Sequence, residues 1–292
     1  EHLWAPPTTG RAFDLSGTSL SPLEKWRKYV TIVSNTDIVG PGVLTAGNIT
    51  NAGALSIKTN VLSGNLDGAG STTVDAGKSL SAARIRQSSL VLNGSAAITS
   101  ARSTTNTSSV QSLTLGGSGK LDLGSNDLVI DYTGGTPFTT VKNAITSGFA
   151  GGAWNGATGI TSSSAAAAQF SAHPTGLGYG EASVLGIGSF SGQTLTGDAV
   201  VVRYTYLGDG NLDGNVDSLD FTRLVNGYGQ SSAVWTQGDF NFDGNTNSVD
   251  FGILLGNYGQ IAGGASPLGA VVPEPASLVT LPIAALFLRR RR

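Results

Sequence analysis

The chain has 292 residues, 39% of them hydrophobic, which allows two or three modest domains with buried cores. It contains no cysteine, which excludes disulfides, thiolate metal sites and thiol nucleophiles. A formal net charge of −2 with only 12% charged residues argues against nucleic acid as a partner. The 42 glycines, with abundant Ser, Thr and Asn, predict a mainly β body with many tight turns.

Residues 1–48 carry the weakest pattern in the chain. Residues 21–27 are compatible with a helical turn, and residues 29–33 alternate as a strand does. We interpret this part as an N-terminal segment or as the incoming coil of the following domain. Because the chain begins with Glu and contains no Met, we expect an upstream segment that is not part of this sequence.

Residues 49–135 consist of short apolar alternations bounded by Gly, Asn, Asp or Ser. The predicted strands are 54–57, 71–74, 89–92, 112–115, 120–123 and 127–132. Their irregular spacing, roughly 8 to 24 residues, favours a parallel β-solenoid with variable turns, and a β-sandwich is the alternative. These segments resemble the autotransporter-associated β-strand repeats of bacterial surface proteins, which implies a solenoidal fold.

The pattern changes over residues 136–203, which we interpret as a mixed connecting or capping unit. Short helices are predicted at 139–149 and at 162–168 together with Phe170. Residues 199–206 alternate as a last strand.

Two twelve-residue segments, starting at Asp209 and thirty residues later at Asp239, repeat one spacing of carboxylates and amides. Glycine stands at position 6 of both, where a loop that wraps an ion must turn sharply. Ca²⁺ takes about six to eight oxygen ligands, so the spacing predicts two calcium sites. Side-chain oxygens at positions 1, 3, 5, 9 and 12 and backbone carbonyls at position 7 are the predicted ligands: Asp209, Asn211, Asp213, Asn215, Asp217 and Asp220, then Asp239, Asn241, Asp243, Asn245, Asn247 and Asp250. The alternative is a pair of solvated loops whose side chains only stabilise turns.

Each loop is followed by apolar residues with helical spacing. These are Phe221, Leu224, Val225 and Tyr228, then Phe251, Leu254, Leu255 and Tyr258. Since neither predicted helix is long enough to be stable alone, we expect the two apolar faces to pack together and metal binding to be coupled to folding.

Residues 204–262, with two loop-plus-helix units, resemble the type I dockerin domain. The family places Asp at position 12, as Asp220 and Asp250 are here. The resemblance implies bound Ca²⁺ and a cohesin-type protein partner. It also implies that the partner contacts residues after the ninth loop position, here Ser218, Leu219, Ser248 and Val249.

A linker at 263–271 precedes the tail 272–292, which runs from Pro-Glu-Pro through an apolar stretch to four arginines. The tail resembles the PEP-CTERM sorting signal of exported bacterial proteins, which implies removal by an exosortase-type protease. The apolar residues 276–288 are too few to cross a bilayer comfortably, since about 20 are needed. We expect a C-terminal hydrophobic sorting helix with transient membrane association and cytoplasmic arginines. A buried C-terminal helix is the alternative.

No motif of a known catalytic site is present. The two histidines, His2 and His173, lie outside any such motif. Carboxylates for sugar hydrolysis are conceivable, since such a site needs only two acids. The solenoid and its connecting unit offer Asp67, Asp75, Asp122, Asp127, Asp131 and Glu181.

The order of β-repeats, a Gly-Gly-Ala-Trp segment, paired loops and sorting tail resembles planctomycete-type exported proteins. We therefore expect a non-enzymatic protein of the outer surface or extracellular matrix of a Gram-negative-type bacterium, with its tail transiently in the inner membrane. A cohesin-type partner-binding subunit is one alternative, with an envelope polysaccharide as another possible ligand. A polysaccharide-degrading β-helix enzyme, or its accessory subunit, is the other alternative.

Overall fold

A computed structural model describes residues 11–14, 29–40, 42–196 and 198–262. The described strands are β1 Arg11–Asp14, β2 Tyr29–Ile32, β3 Thr36–Val39, β4 Val43–Thr45, β5 Asn48–Asn51, β6 Ala54–Ile57, β7 Asn60–Leu62, β8 Asn65–Asp67, β9 Ser71–Val74, β10 Ser79–Ala82, β11 Arg84–Leu92, β12 Ser95–Ile98, β13 Ser108–Leu115, β14 Lys120–Asp122, β15 Leu128–Asp131, β16 Gly159–Thr161, β17 Thr175–Glu181, β18 Ser189–Phe190, β19 Gln193–Thr194 and β20 Ala199–Tyr206. The described helices are α1 Phe138–Phe149, α2 Ser163–Ala168, α3 Ala182–Leu185, α4 Ser218–Gly227 and α5 Ser248–Asn257, with 3₁₀ turns at Ala150–Gly152 and Trp235–Gln237.

The strands from β2 to β16 form a parallel β-solenoid. Corresponding strands of successive coils pair in parallel along three ladders: β2–β5–β8–β11, β3–β6–β9–β11–β13–β15 and β4–β7–β10–β12–β14–β16. A β-sandwich is built from antiparallel sheets, so this pairing confirms the solenoid and excludes the alternative.

Along the strands, apolar side chains that point into the solenoid alternate with side chains that face outward, and the inward ones form the core. In β6, for example, Leu55 and Ile57 are buried while their neighbours are partly exposed. The predicted segments 89–92 and 112–115 are the second halves of the longer strands β11 and β13. The first half of β11 has two arginines flanking a single apolar residue, Ile85, and the residues that point inward there are Ile85 and Gln87.

One polar cluster lies inside the solenoid. The Gln87 side-chain oxygen accepts hydrogen bonds from Asn51 Nδ2 at 2.7 Å and from Thr72 Oγ1 at 3.0 Å. The Gln87 amide nitrogen donates to the carbonyl of Gly68 at 3.1 Å. The buried polar groups therefore satisfy one another across neighbouring coils.

The parallel ladders begin before residue 49, since β1 pairs with β3, β2 with β5 and β3 with β6. Residues 29–48 thus belong to the solenoid, and β1 adds a paired strand before them. The helical turn predicted at 21–27 lies outside the described residues.

The connecting unit 136–203 is continuous with the C-terminal end of the solenoid. Strand β16 extends one ladder by pairing in parallel with β14, whereas β20 pairs antiparallel with β15 and with β17. Helices α1 and α2 confirm the two predicted helices, but Phe170 lies beyond α2 with 93% of its surface exposed. The antiparallel pair β20 and β17 therefore closes the last coil.

No helix within the described ranges is long and apolar enough to cross a membrane. The predicted linker and sorting helix at 263–292 lie outside those ranges.

Candidate metal centre

The two twelve-residue loops have the same backbone path. The first loop follows β20 and leads into α4, and the second follows the turn Trp235–Gln237 and leads into α5. Gly214 and Gly244, at position 6, have φ of +93° and +83°, a left-handed conformation that glycine adopts without steric cost. Leu212 and Phe242, at position 4, both have φ of +60°, which is uncommon for large side chains.

The aspartates at position 1, Asp209 and Asp239, are buried. Asp209 accepts a hydrogen bond from the Thr205 hydroxyl at 2.6 Å and another from the Gly214 N–H at 3.0 Å. Oδ2 of Asp239 accepts from the Gly244 N–H at 3.1 Å. Oδ1 of Asp239 is buried and has no hydrogen-bond partner in the described part of the chain.

The aspartates at position 12, Asp220 and Asp250, lie in the first turns of α4 and α5 and have no exposed surface. Each accepts hydrogen bonds from the start of its loop and from position 9. The donors are the backbone N–H groups of Asn211 and Asp217 for Asp220, at 3.0 and 2.8 Å, and of Phe240 and Asn247 for Asp250, at 2.9 and 3.0 Å. Positions 1 and 12 thus bring buried carboxylates to both ends of each loop.

In each loop, the same pair of hydrogen bonds among positions 3, 5 and 7 holds the turn of the backbone. Asp213 N–H donates to Asn211 Oδ1 at 2.8 Å and Asn215 N–H to Asp213 Oδ1 at 2.7 Å, and the equivalent bonds of Asn241, Asp243 and Asn245 are 3.1 and 2.7 Å. Backbone bridges from Asn215 to Ile261 and from Asn245 to Ser231 tie each loop to the segment after the other loop's helix.

The side chains at position 9 cap the N-termini of the two helices. Asp217 accepts from the Leu219 N–H and Asn247 from the Val249 N–H, both at 2.7 Å. In each helix the position 12 aspartate bonds back to the cap residue, which completes a capping box.

Burial makes the loop carboxylates hard to ionise without a cation. Burial first, and then the charge of Asp220, raise the pKa of Asp209 to about 8. Burial likewise raises the pKa of Asp220 to about 7, that of Asp239 to about 6 and that of Asp250 above its usual range. A divalent cation would replace the protons and neutralise these groups.

The donor chemistry of both loops fits Ca²⁺, because every predicted ligand atom is an oxygen. Oδ1 of Asp239 is buried and has no hydrogen-bond partner among the described residues, so a bound cation would satisfy it. No three His, Cys, Asp or Glu side chains of the described residues converge on a common point. The aspartates at positions 1 and 12 are buried, so these four side chains are not solvated.

In the absence of divalent cations, we expect the free energy of unfolding to decrease as the pH rises from 5 to 8. The folded protein holds protons on Asp209, Asp220 and Asp239 at pH values where the unfolded chain, with ordinary aspartate pKa values, has released them. Each such proton lowers the free energy of unfolding by about 1.4 kcal/mol per pH unit. Urea unfolding in chelator across this range measures the slope.

The variant Asp209→Asn is the control, because it removes the carboxyl group whose pKa is raised to about 8, and it should flatten the slope. Saturating Ca²⁺ should also flatten it. A wild-type stability that rises with pH in chelator would contradict the assignment.

The helices α4 and α5 contact each other less than their apolar spacing predicted. The rings of Phe221 and Phe251 lie 6.0 Å apart between the helices. A Cβ added to Gly238 would lie 2.9 Å from the backbone of Leu224, and one added to Gly208 would lie 3.1 Å from the backbone of Leu254. Each buried leucine therefore packs at the entrance of the other repeat's loop.

An apolar surface of the two helices is left exposed. We call it the outer helix surface; its residues, each more than half exposed, are Leu219, Val225, Tyr228, Val249, Leu255 and Tyr258. Ser218 and Ser248 precede it at the first positions of the helices.

Five of the six carboxylates considered for sugar hydrolysis form ion pairs or hydrogen bonds within the protein. Asp67 forms an ion pair with Arg84 at 2.7 Å, and the buried Asp127 one with Arg102 at 3.3 Å. Hydrogen bonds hold Asp122 to the N–H groups of Gly124 and Ser163, Asp131 to Thr196, and Glu181 to Tyr132 and Thr136. His173 contacts the carbonyl of Gly256 through Nδ1 at 2.9 Å, and His2 lies outside the described residues.

Residues 207–256 match the dockerin type I domain family. Domains of this family bind calcium and dock to cohesin partners, so the match supports a calcium-binding docking module in this part of the chain. The match covers both loops and both helices and does not extend to the solenoid. Comparisons with curated proteins and with solved structures gave no match.

Proposed function

We propose that residues 204–262 bind two Ca²⁺ ions, one in each loop, and present the outer helix surface to a protein partner. The observation that carries this proposal is the paired set of buried carboxylates, Asp209 with Asp220 and Asp239 with Asp250. A calcium ion in each loop would neutralise them and fix the helix that follows. The dockerin match of the same residues supports the metal and the class of partner.

The outer helix surface supports a cohesin-type partner. Its apolar side chains come in equivalent pairs from the two helices, among them Leu219 with Val249 and Tyr228 with Tyr258. Exposed aromatic and aliphatic side chains are enriched at protein interfaces. Calcium would act indirectly, by fixing the caps from which both helices start.

We expect the full chain to be retained on an immobilised type I cohesin domain in Ca²⁺ and released by chelator. The double variant Leu219→Asp with Val249→Asp should lose retention at least tenfold, because it replaces two exposed apolar side chains of the proposed contact by charges. The matched control is Phe170→Asp, which changes an exposed aromatic residue outside the module. Equal retention of both variants would contradict this use of the surface, and no retention of wild type would argue for another partner.

We also propose that the protein is exported and acts on the outer surface or in the extracellular matrix of a Gram-negative-type bacterium. Dockerin modules occur in extracellular proteins, which supports export. The Pro-Glu-Pro triplet, apolar residues 276–288 and terminal arginines support processing by an exosortase-type protease after transient membrane association. The resemblances to autotransporter-associated repeats and to planctomycete-type proteins support the same location.

We propose a non-enzymatic, scaffold role for the solenoid. The polar partners of its carboxylates, such as Arg84 for Asp67, support this role over sugar hydrolysis. We also propose an envelope polysaccharide as a ligand of the solenoid, on the resemblance of its strands to surface-protein repeats.

A further inference from the structure

The calcium-binding module packs directly against the solenoid end. Strand β20 lies between β15 and β17 in the closing sheet, and its last residue, Tyr206, precedes Asp209 by only three positions. Asn257, fully buried at the end of α5, donates to the carbonyls of Leu207 at 2.7 Å and Pro174 at 3.3 Å. The two ends of the module are therefore held against the strands that close the last coil.

Alternate glycines on β17 make room for the module. A Cβ on Gly178 would lie 2.5 Å from Leu212 and 2.6 Å from the Trp235 indole nitrogen. The Cβ of a residue replacing Gly180 would lie 2.8 Å from Thr236. Because these residues belong to the first loop and to the turn before the second, the glycine face of β17 is shaped to the calcium-binding repeats.

The position 4 residues of both loops reach into this contact. The Phe242 ring lies 4.6 Å from the Phe149 ring, 5.8 Å from the Trp154 ring and 6.3 Å from the Tyr179 ring. The carbonyl of Leu212 accepts a hydrogen bond from Arg203 on β20. The uncommon φ of +60° at both positions directs the loops toward the solenoid end.

The closing strands also approach the predicted calcium ligands. Thr205 on β20 donates to the carboxylate of Asp209 in the first loop. Tyr179 on β17 is fully buried, and its ring lies 6.3 Å from that of Phe242 in the second loop. β20 therefore contacts the position 1 carboxylate of the first loop, and β17 contacts position 4 of the second loop.

We propose that the module has a second function as the calcium-locked cap of the solenoid: bound calcium fixes both loops, and the loops hold Leu212, Trp235 and Phe242 against the closing strands β17 and β20. The end of a solenoid needs a cap, because an uncovered terminal coil exposes apolar surface and strand edges. The cap rests on the proposed calcium binding, and it requires no partner protein.

Hydrogen exchange of the full chain, followed by mass spectrometry in Ca²⁺ and in chelator, tests the cap. We expect chelation to speed amide exchange at least tenfold in 175–181 and 199–206 as well as in 209–257. Fast exchange restricted to 209–257 would overturn the cap and leave calcium binding intact. Exchange that is unchanged everywhere would overturn calcium binding itself.

Two variants separate the cap from the metal sites. Gly178→Val inserts a side chain between β17 and the module, and Asn257→Ala removes the bonds at the end of α5 without adding bulk. In either variant, calcium should still protect 218–227 while its protection of 175–181 falls at least fivefold. The control is Gly188→Val, where no atom lies within 4 Å of an added Cβ. Full calcium-dependent protection of 175–181 in both variants would overturn the proposal.

Discussion

Replacing Asp220 by alanine is expected to abolish calcium binding at the first loop, with an affinity loss of about 100-fold or more. The substitution removes the predicted bidentate ligand and also the carboxylate that accepts from Asn211 and Asp217. Losing one site removes about 2.7 kcal/mol of stability at a calcium concentration 100 times the dissociation constant. Loss of the capping box adds about 1 kcal/mol and loosens α4. Calcium titration and thermal melting of the full chain measure both effects.

Asp220→Asn separates the ligand role from the structural role. This variant keeps the shape of the side chain and removes a buried charge whose pKa is raised to about 7. The amide nitrogen cannot accept one of the two backbone hydrogen bonds that the carboxylate accepts, and this loss opposes the gain from removing the charge. At pH 8 in chelator we therefore expect a stability within about 1 kcal/mol of wild type, whereas in Ca²⁺ the variant should gain less than wild type does. A variant that gains as much stability from Ca²⁺ as wild type would contradict the assignment of Asp220 as a ligand.

Trp235→Ala should cost about 3–5 kcal/mol in the free energy of unfolding in saturating Ca²⁺. Trp235 is fully buried, and its ring lies 5.2 Å from Phe240 and 5.5 Å from Phe242. Its indole N–H donates to the backbone carbonyl of Asp209 at 2.6 Å, so the substitution also leaves a buried acceptor without a donor. Urea unfolding monitored by circular dichroism gives the difference.

The controls for Trp235 bracket the expected effect. Trp235→Phe keeps most of the packing and loses the hydrogen bond, so its cost should be about 1–3 kcal/mol. Phe170→Ala changes an aromatic residue that is 93% exposed and should stay within about 0.5 kcal/mol of wild type. If Trp235→Ala is no more destabilising than Phe170→Ala, the tryptophan does not join the two repeats.

Local sequence patterns predicted the turns of the two twelve-residue loops, four of the five described helices and eight of the 20 described strands. A loop ligand set is fixed by spacing within twelve residues, and alternation within four residues is enough to recognise β6 and β9. The solenoid also followed from short strands with irregular turns. Its starting coil was harder to place, because β2, β3 and β4 are only three or four residues long.

The contact between the calcium-binding module and the solenoid was not predicted, because the glycines that indicate it more often indicate a turn. Gly176, Gly178 and Gly180 are usually read as turn or breaker residues, yet they lie within the seven-residue strand β17. Their alternation with Leu177 and Tyr179 was the available signal, since alternate glycines in a strand allow close approach of another element.

The most direct test of the calcium module is a count of bound ions in the full chain. The protein is stripped with chelator, returned to Ca²⁺ and examined by native mass spectrometry, with its melting temperature followed in parallel. Two calcium ions per chain and a higher melting temperature are the predicted result, and Asp220→Ala should retain one ion. A wild-type chain that binds no calcium and melts at an unchanged temperature would contradict the module's role as a metal-dependent domain.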